Sequence, residues 1–327
     1  MDRVAKTAAK LVLEPIFEVD FTDNAYAYRP KRSAHDAIRR VHEFLRAGYT
    51  DVVDADLSKY FDTIPHAELM RSVARRVSDK KVLRLIKLWL KAPVEERDEE
   101  GKRRLTGGKD HHQGTPQGGV ASPLLANIYM RRFLLAWEKR ELPEKLQAHV
   151  VNYADDFVIL CRRTARGAKE AAEKIIVGMK LHLNPEKTRV VNAWREPFDF
   201  LGYTFGLCYK EGKPGFYLGA KPSKKRIIRL NGKIREHLHR GNTAPFWVVV
   251  DALNRMLMGW AEYFSHGTLS RAYRTVDYLT RERLRWWLCR RHKVEGRGTR
   301  QFPDERLYGK YGLLCLEQLR SARRSNA

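Results

Sequence analysis

The feature that most constrains this chain is a pair of adjacent carboxylates, Asp155 and Asp156, between two short apolar segments. Both segments, residues 148–152 and 157–161, are rich in β-branched or aromatic residues, which predicts two paired strands whose connecting turn carries the acids. Two like charges at the end of a buried hairpin are unfavourable unless a cation neutralises them, because unpaired buried carboxylates become protonated. The pattern therefore indicates a divalent metal, although adjacent aspartates are also ordinary turn residues.

A second apolar segment interrupted by acids lies upstream, at residues 52–62. If its strand lies beside the hairpin, Asp56 and the two later aspartates converge on one point. Oxygen ligands in that number suit Mg²⁺, which keeps several waters and takes its other ligands from substrate phosphates. Two such ions, roughly 3.5–4 Å apart, can clamp the attacking and leaving oxygens of an in-line displacement on phosphorus. This chemistry is nucleotidyl transfer, and spacing alone leaves Asp54 and Asp62 open as alternatives to Asp56.

Three segments, in this order along the chain, resemble motifs of reverse transcriptases, and specifically of the reverse transcriptase and maturase proteins encoded by group II introns. Residues 56–62 resemble the palm motif that holds the first catalytic aspartate, and residues 153–156 resemble the motif that holds the other two. Between them, residues 113–128 are similar, nearly residue for residue, to the nucleotide-pocket motif of the family. With weaker motifs, the resemblance covers almost the whole chain.

The resemblance implies a site with two Mg²⁺ ions. The implied catalytic residues are Asp56, Asp155 and Asp156, and the implied metal ligands are the same three with Leu57. The implied substrate-binding residues are Arg3, Arg29, Leu57, Phe61, Gln117, Gly118 and Lys187, and the implied primer grip contains Leu201 and Gly202.

Five of these residues carry a stated role by resemblance. Arg3 contacts the triphosphate. Gln117 contacts the incoming nucleotide or its paired template base, and Phe61 packs where a ribose 2′-hydroxyl would sit, so that it selects deoxynucleotides. Lys187 assists the pyrophosphate leaving group, and Arg29 faces a template or nucleotide phosphate. The alternatives left open are a core residue for Phe61, a solvated loop lysine for Lys187 and a solvated basic loop for Arg29.

Local patterns add predictions that do not depend on the resemblance. Glycines in residues 114–119 remove Cβ atoms where a backbone must approach a base or sugar closely. Ser122 followed by Pro123 predicts an N-cap and a helix that runs to about Trp137. Ser33 with Asp36 predicts a capping box at the start of another helix, and residues 198–205 read as one strand with a glycine at a close approach.

The resemblance and the periodicity together predict an α+β fold. Its parts are a reverse-transcriptase palm with partial fingers and an α-helical thumb or maturase domain, at residues 1–50 (partial fingers), 51–220 (palm) and 221–327 (thumb). Apolar residues at helical spacing predict one thumb helix of about five turns from Phe246 and a second around Leu284. The chain begins inside the first conserved block of the family by this comparison, so a shortened fingers region is expected.

The formal charge indicates a polyanionic partner. The chain has 63 Lys and Arg residues against 39 Asp and Glu, a net charge of +24, which is consistent with neutralisation of phosphates. A solvated basic face is the alternative. The partners that the resemblance implies are an RNA template and intron RNA, a DNA primer or target, and deoxynucleoside triphosphates.

Several absences narrow the expectations. No apolar run of about 18 residues is present to span a membrane, and the N-terminus lacks the apolar core of a signal peptide, so a cytoplasmic protein without a membrane partner is expected. The four cysteines are scattered without a Cys-x-x-Cys pair, which indicates neither a zinc ribbon nor a disulfide framework. Residues 301–327 lack the metal cluster of the DNA endonuclease domain of the family, so DNA nicking is not expected.

Two other functions remain open from the sequence. A non-catalytic maturase would bind and fold intron RNA without polymerising, but a pure binder has no physical need for three metal-site carboxylates. An RNA-copying RNA polymerase would need a small or polar residue at the position of Phe61.

Overall fold

The structure, a computed structural model, describes residues 2–97, 103–106, 111–116, 119–209 and 215–325. The chain forms two compact units, residues 1–201 and 202–327. The finer division of the sequence into fingers, palm and thumb stays a prediction.

The first unit combines helices with a central antiparallel sheet. Its elements are α1 (Asp2–Glu18), α2 (Ala34–Arg46), β1 (Asp51–Asp56), α3 (Tyr60–Thr63), α4 (His66–Ala74), α5 (Lys80–Lys91), β2 (Val94–Arg97), β3 (Arg103–Thr106), α6 (Ser122–Lys139), α7 (Leu142–Lys145), β4 (Ala148–Tyr153), β5 (Asp156–Cys161), α8 (Ala165–Gly178), β6 (Arg189–Asn192) and β7 (Phe198–Phe200).

The central sheet has the strand order β4-β5-β1-β6. β1 pairs with β5 and with β6, and β4 pairs with β5, in each case antiparallel. The predicted hairpin of residues 148–161 is therefore confirmed, and the strand that carries Asp56 lies beside it as expected. Strands β2 and β3 pair only with each other among the described strands.

Strand alternation gives the sheet two different faces. Val53 and Ala55 of β1 and Phe157 of β5 point to one face, where they join the large core formed with α4, α5, α6 and α8. The side chains between them, including Val52, point to the other face. Helix α2 packs against β4 and β5, and its Phe44 ring stacks on His149 at 4.4 Å.

The capping box predicted for α2 is confirmed. The Ser33 hydroxyl accepts a hydrogen bond from the backbone N–H of Asp36, and the Asp36 carboxylate accepts one from the backbone N–H of Ser33. The prediction for α6 is correct in its extent but wrong in its cap. The N-cap residue is Ala121, and Ser122 is the first residue of the helix. The Ser122 hydroxyl donates to the Pro116 carbonyl at 2.7 Å.

The second unit contains a β-hairpin followed by helices. Its elements are β8 (Tyr203–Tyr209), β9 (Phe216–Pro222), α9 (Lys224–His237), α10 (Phe246–Tyr263), α11 (Ser270–Arg291), a π-helical turn (Arg306–Lys310) and α12 (Leu316–Ser325). β8 and β9 pair antiparallel from Tyr203–Pro222 to Tyr209–Phe216. The two predicted thumb helices are present as α10 and α11, and their apolar faces share one core with α9 and α12.

The prediction of one strand over residues 198–205 is wrong. β7 ends at Phe200 and β8 begins at Tyr203. Leu201 and Gly202 between them both have positive φ, 50° and 81°, which extended strands do not adopt. No helix in the described parts of the chain is both long enough and apolar enough to cross a membrane.

Trp137 of α6 is expected to be a major stabilising residue of the first unit. It is 1% exposed, and its indole N–H donates to the Ala148 carbonyl at 3.3 Å. Trp137→Ala would leave a large cavity and an unpaired carbonyl, so we expect the free energy of unfolding to fall by about 3–5 kcal/mol in urea unfolding followed by circular dichroism. Trp194→Ala is the matched control, because Trp194 is 46% exposed and should change the stability by less than about 0.5 kcal/mol. Equal losses in both variants would contradict the assignment of Trp137 to the core.

Candidate active site

The acidic hairpin is closed by a two-residue turn. Tyr153 of β4 pairs directly with Asp156 of β5, so Ala154 and Asp155 form the whole loop. Ala154 has a φ of 59°, a left-handed conformation that costs on the order of 1 kcal/mol for a residue other than glycine. The buried Asn152 side chain offsets this cost, because its amide donates to the Ala154 carbonyl at 2.8 Å.

The catalytic aspartates predicted from the sequence lie at the same end of the sheet. Asp56, the last residue of β1, is the direct cross-strand partner of Asp156, the first residue of β5. Asp155 precedes Asp156 in the turn. Residues opposite each other in an antiparallel pair have Cβ atoms about 4.5–5.5 Å apart, so the backbone brings Asp56 and Asp156 within reach of a shared cation.

Asp54, Asp56 and Asp156 point to the same face of the sheet. Asp54 pairs with Val158, two residues along from the Asp56–Asp156 pair, and side chains two residues apart share a face. This face is opposite the one that carries Val53 and packs on α6 and α8. The helices thus support the strands from behind, and the acidic groups project from the other side.

Burial and mutual repulsion weaken the acidity of Asp156. Burial, which is the largest cause, and the negative charges of Asp54, Asp155 and Asp56 together raise its pKa from 3.8 to about 7. The backbone N–H of Leu201 donates to the carboxylate and acts in the opposite direction. A carboxyl group with this pKa is only partly ionised at neutral pH, and a nearby cation would make its ionisation complete.

Two basic side chains already lie against the acids. The Lys187 ammonium is 3.2 Å from an Asp56 carboxylate oxygen, and the Arg189 guanidinium is 3.1 Å from Asp54. Asp54 is thus held by an arginine, although burial still raises the pKa of its carboxyl. Asp62, the other alternative, lies in the short helix α3 and is exposed, so the cross-strand geometry favours Asp56.

The donor set fits a magnesium ion that keeps much of its water. In the described parts of the chain, no group of three or more His, Cys, Asp or Glu side chains is arranged to hold a metal ion by itself. The expected convergence of three carboxylates on one cation therefore stays a prediction, and what the strands bring together is the pair Asp56 and Asp156. Mg²⁺ is commonly bound through one or two carboxylates together with substrate phosphates, and Asp56 and Asp156 supply such a pair.

Leu57 is held by the chain segment that contains Lys187. Its backbone forms an antiparallel bridge with Leu183, and the Asp56 carbonyl before it accepts a hydrogen bond from the Asn184 N–H at 2.8 Å. The Leu57 side chain is apolar and buried, so only its backbone could bind a metal, through the carbonyl, or a substrate. The segment fixes this backbone beside Asp56.

The predicted nucleotide-pocket segment docks directly against Phe61. The Thr115 N–H donates to the Phe61 carbonyl at 2.6 Å, and the Gly114 N–H donates to the Ile64 carbonyl at 2.7 Å. Gly114 has a φ of 89°, and a Cβ on it would lie 2.9 Å from the Asp62 carbonyl oxygen. This close approach explains why a glycine is needed here. Phe61 itself is partly buried against the core.

Not all predicted site residues can be placed. Gln117 and Gly118 lie outside the described residues. Arg3 is exposed in the first turn of α1, and no described contact links it to the acids.

Arg29 corrects the sequence-based expectation. Its side chain is only 5% exposed, and its guanidinium is 2.8 Å from Glu18. It also donates to the carbonyls of Thr22 at 2.6 Å and Ala25 at 2.8 Å. These bonds tie α1 to the loop that follows it, so the predicted phosphate contact of Arg29 has no support in this geometry.

The two primer-grip residues lie at the turn with positive φ. The N–H of Leu201 is the group that donates to Asp156, which links this turn directly to the acidic site. Gly202 accepts a hydrogen bond from the Ser223 N–H at 3.0 Å, and a Cβ on it would lie 2.8 Å from the Arg226 side chain. Glycine is therefore the residue that this position accommodates.

Sequence reasoning missed two residues of the site, Tyr28 and Asn152. Burial, followed by the charge of Asp155, raises the pKa of the half-exposed Tyr28 hydroxyl, so this hydroxyl lies within electrostatic range of the turn. Asn152 fixes Ala154 as described above. The amide of Asn152 stands out in an apolar strand, so the sequence could have indicated a role for it. Nothing in the sequence around Tyr28 indicated that it lies near Asp155.

Family comparison agrees with this geometry. Residues 1–205 match the family model described as reverse transcriptase (RNA-dependent DNA polymerase). The chain therefore belongs to the reverse transcriptase family. Residues 227–302 match a second model, described as the maturase-specific domain of group II introns, which places the chain in the group II intron-encoded branch.

Curated relatives support the same branch. Protein YkfC of Escherichia coli K12 is 32% identical over 237 residues, which cover 62% of this chain and 60% of that protein. Group II intron-encoded protein LtrA of Lactococcus lactis subsp. cremoris is 28% identical over 308 residues, which cover 72% of this chain and 49% of that protein. The chain thus spans about half the length of the curated relatives that it matches.

Solved structures confirm the fold. Telomerase from Candida albicans, in complex with a fragment of telomeric RNA, has a TM-score of 0.52 at 12% identity, over 93% of this chain and 56% of that chain. Apo telomerase from Candida tropicalis has a TM-score of 0.51 at 11% identity, over 94% of this chain and 61% of that chain. Together with the family match, this confirms the predicted α+β class with a reverse-transcriptase palm and a helical thumb.

The raised pKa of Asp156 predicts a pH-dependent cost to folding. In the unfolded chain this carboxyl ionises near 3.8, whereas in the fold it keeps its proton up to about pH 7. Between these values the folded state binds more protons, so the stability of the metal-free wild type should fall as pH rises from about 4 to about 7. Asp156→Asn has no charge to bury. We therefore expect the free energy of unfolding of Asp156→Asn to exceed that of the wild type at about pH 8 by up to about 4 kcal/mol. Near pH 4 the two free energies should be equal.

The measurement is urea unfolding in buffer that contains EDTA, at several pH values. Asp155→Asn is the control, because Asp155 is exposed in the turn and its replacement should leave the pH profile almost unchanged. A gain for Asp156→Asn that is the same at low and high pH would contradict the buried, protonated state of this carboxyl.

Proposed function

We propose that this chain is an RNA-directed DNA polymerase of the group II intron type that also binds intron RNA. In the proposed reaction, the 3′-hydroxyl of a primer attacks the α-phosphate of a deoxynucleoside triphosphate paired with an RNA template. The observation that carries the proposal is the direct cross-strand pairing of Asp56 with Asp156, beside a strained turn that presents Asp155. This arrangement concentrates negative charge at one end of the sheet, where a cation and a triphosphate are needed.

The three aspartates are proposed to hold two Mg²⁺ ions. When bound, the ions supply positive charge at the attacking and leaving oxygens of the displacement. Asp56 and Asp156 are oriented by the sheet register, and Asp155 by the turn that Asn152 holds. The raised pKa of Asp156 supports the need for a cation, because an ion bound nearby keeps this carboxyl ionised.

The contact between residues 61–64 and 114–115 supports a role in nucleotide selection. The Thr115 N–H holds Phe61 by its backbone carbonyl, and the Gly114 N–H holds the nearby Ile64 carbonyl. In the proposal the Phe61 ring forms a wall under the sugar and excludes a 2′-hydroxyl. Gln117 and Gly118 of the same motif are proposed to contact the nucleotide and its template base.

Lys187 is proposed to exchange partners during the reaction. In the structure its ammonium neutralises Asp56 at 3.2 Å, and the side chain is largely exposed. A triphosphate in the site would offer it stronger negative charge, and it would then stabilise the pyrophosphate that leaves. The ammonium would thus neutralise Asp56 before the substrate binds and stabilise the pyrophosphate as it leaves.

The match to the maturase-specific model supports the binding of intron RNA by residues 227–302. The net charge of +24 supports a polyanionic partner. Template and intron RNA, a DNA primer or target and deoxynucleoside triphosphates are the proposed partners.

Removal of the metal-site carboxylates should abolish polymerisation and spare RNA binding. We expect Asp155→Asn and Asp156→Asn to lower primer extension on an RNA template at least 100-fold, which corresponds to about 2.7 kcal/mol of transition-state stabilisation. The measurement is primer extension with Mg²⁺, alongside filter binding of the same RNA. Asp62→Asn is the matched control, because Asp62 is exposed in α3 and should extend primers as the wild type does.

The outcomes separate the proposal from a non-catalytic maturase. RNA binding without extension by the wild type would favour the non-catalytic maturase. Equal extension by the wild type and Asp155→Asn would contradict the metal site.

Phe61→Ala should weaken the discrimination against ribonucleotides. Removal of the ring opens space for a 2′-hydroxyl, so we expect ribonucleotide incorporation relative to deoxynucleotide incorporation to rise at least tenfold, about 1.4 kcal/mol in relative transition-state free energy. The measurement is the ratio of kcat/KM for a matched ribonucleotide and deoxynucleotide pair. Phe61→Tyr keeps the ring and should keep the selectivity. An unchanged ratio in Phe61→Ala would remove Phe61 from this role.

A further inference from the structure

The second unit contains a basic, aromatic pocket that the polymerase reaction does not use. It has a volume of about 630 Å³, within the range of small-ligand sites. One wall is a stripe of α11 formed by Arg283, Trp286, Trp287, Arg290 and Arg291. These residues recur at the spacing of neighbours on one helix face. The other wall is the loop after α9, which includes Arg240.

The charge of this pocket is not neutralised by the protein. None of the residues that line it is acidic. Arg240, Arg283 and Arg290 have no carboxylate within ion-pair distance among the described residues. Other arginines on the same helix behave differently, because Arg281 and Arg285 both pair with Asp304. The helix thus keeps its paired arginines on one side and presents unpaired ones to the pocket.

Trp286 supplies an exposed aromatic surface among the arginines of the pocket. It is 53% exposed, whereas the neighbouring Trp287 is buried in the core. The Arg290 guanidinium lies 4.5 Å from the Trp286 ring centroid. Arg291 donates a hydrogen bond to the Ala244 carbonyl at 2.6 Å, which ties the α11 wall to the loop after α9, whereas Trp286 is open to solvent.

We propose that this pocket binds an unpaired nucleotide of a single strand, with its base stacked on Trp286 and its flanking phosphates bound by Arg240, Arg283 and Arg290. Proteins bind single strands through a positively charged groove that contains aromatic stacking surfaces. An acidic peptide would use the arginines but would have no need for an exposed indole plane. The proposal deepens the RNA-binding part of the proposed function and rests on it.

The test measures the binding of 8-nucleotide single strands by the full chain, through the fluorescence of 2-aminopurine at the central position. Stacking on Trp286 should quench this fluorescence. Because each stacked base contributes about 1–3 kcal/mol, we expect Trp286→Ala to weaken binding about 5- to 150-fold and to abolish the quenching. Trp286→Phe should restore part of both. Trp247→Ala is the matched control, because Trp247 is 63% exposed and lies outside the pocket.

A strand with an abasic central position keeps the phosphates and lacks the base. In a fluorescein-anisotropy assay, the wild type should bind it as weakly as Trp286→Ala binds the complete strand. Arg290→Gln should weaken the binding of both strands and reduce the salt dependence by about one phosphate contact. Tighter binding of RNA than of DNA would assign the pocket to RNA strands. Equal binding of the two would assign it to both kinds of strand, and either result supports a nucleotide site.

Other results would overturn the pocket and leave the proposed function intact. If Trp286→Ala binds and quenches like the wild type while the wild type still extends primers, the nucleotide does not stack there. If the wild type binds a fluorescein-labelled acidic peptide more tightly than the strand, and Arg290→Gln weakens that binding while Trp286→Ala does not, the pocket belongs to a protein partner. Failure of the wild type to bind any RNA would instead count against the proposed function itself.

Discussion

The antiparallel pairing of β1 with β5 is the interaction on which the site depends. It places Asp56 opposite Asp156, although like charges directly opposite each other destabilise a sheet. The rest of the unit makes the pairing possible. Apolar side chains of both strands are buried on the opposite face, so the strands cannot slip by one residue without turning their apolar residues away from the core. The register that the core requires is the register that brings the acids together.

The basic neighbours of the acids follow from this arrangement. Lys187, just before β6, pairs with Asp56, and Arg189, the first residue of β6, pairs with Asp54. β6 itself pairs with the other edge of β1. These ion pairs are partly exposed, so each contributes little to stability. Their main effect is to reduce the repulsion between the carboxylates before a cation binds. Lys187 is more exposed than Arg189, so the pair that it forms is the easier one for a substrate to displace.

The sequence predicted those features that depend on local pattern. The hairpin, the strand of Asp56, the capping box of α2 and the two thumb helices all follow from periodicity or from residues within one turn. The sequence could not show which distant residues the fold brings into contact. Lys187 and Asp56 are 131 positions apart, and the burial of Arg29 by Glu18 depends on how α1 packs. The sequence did not show that residues 198–205 form two strands and not one. Leu201 is an apolar residue that fits a strand, and its neighbours in the sequence do not reveal its positive φ.

Composition had the same limit for charge. A net charge of +24 predicts a polyanionic partner but does not say which arginines are available to it. The structure separates them on α11, where Arg281 and Arg285 are held by Asp304 and Arg283 and Arg290 face a pocket without acids. Only unpaired cations gain free energy from a phosphate without first losing a partner. The position of acidic side chains, more than the number of basic ones, therefore determines where a strand can bind.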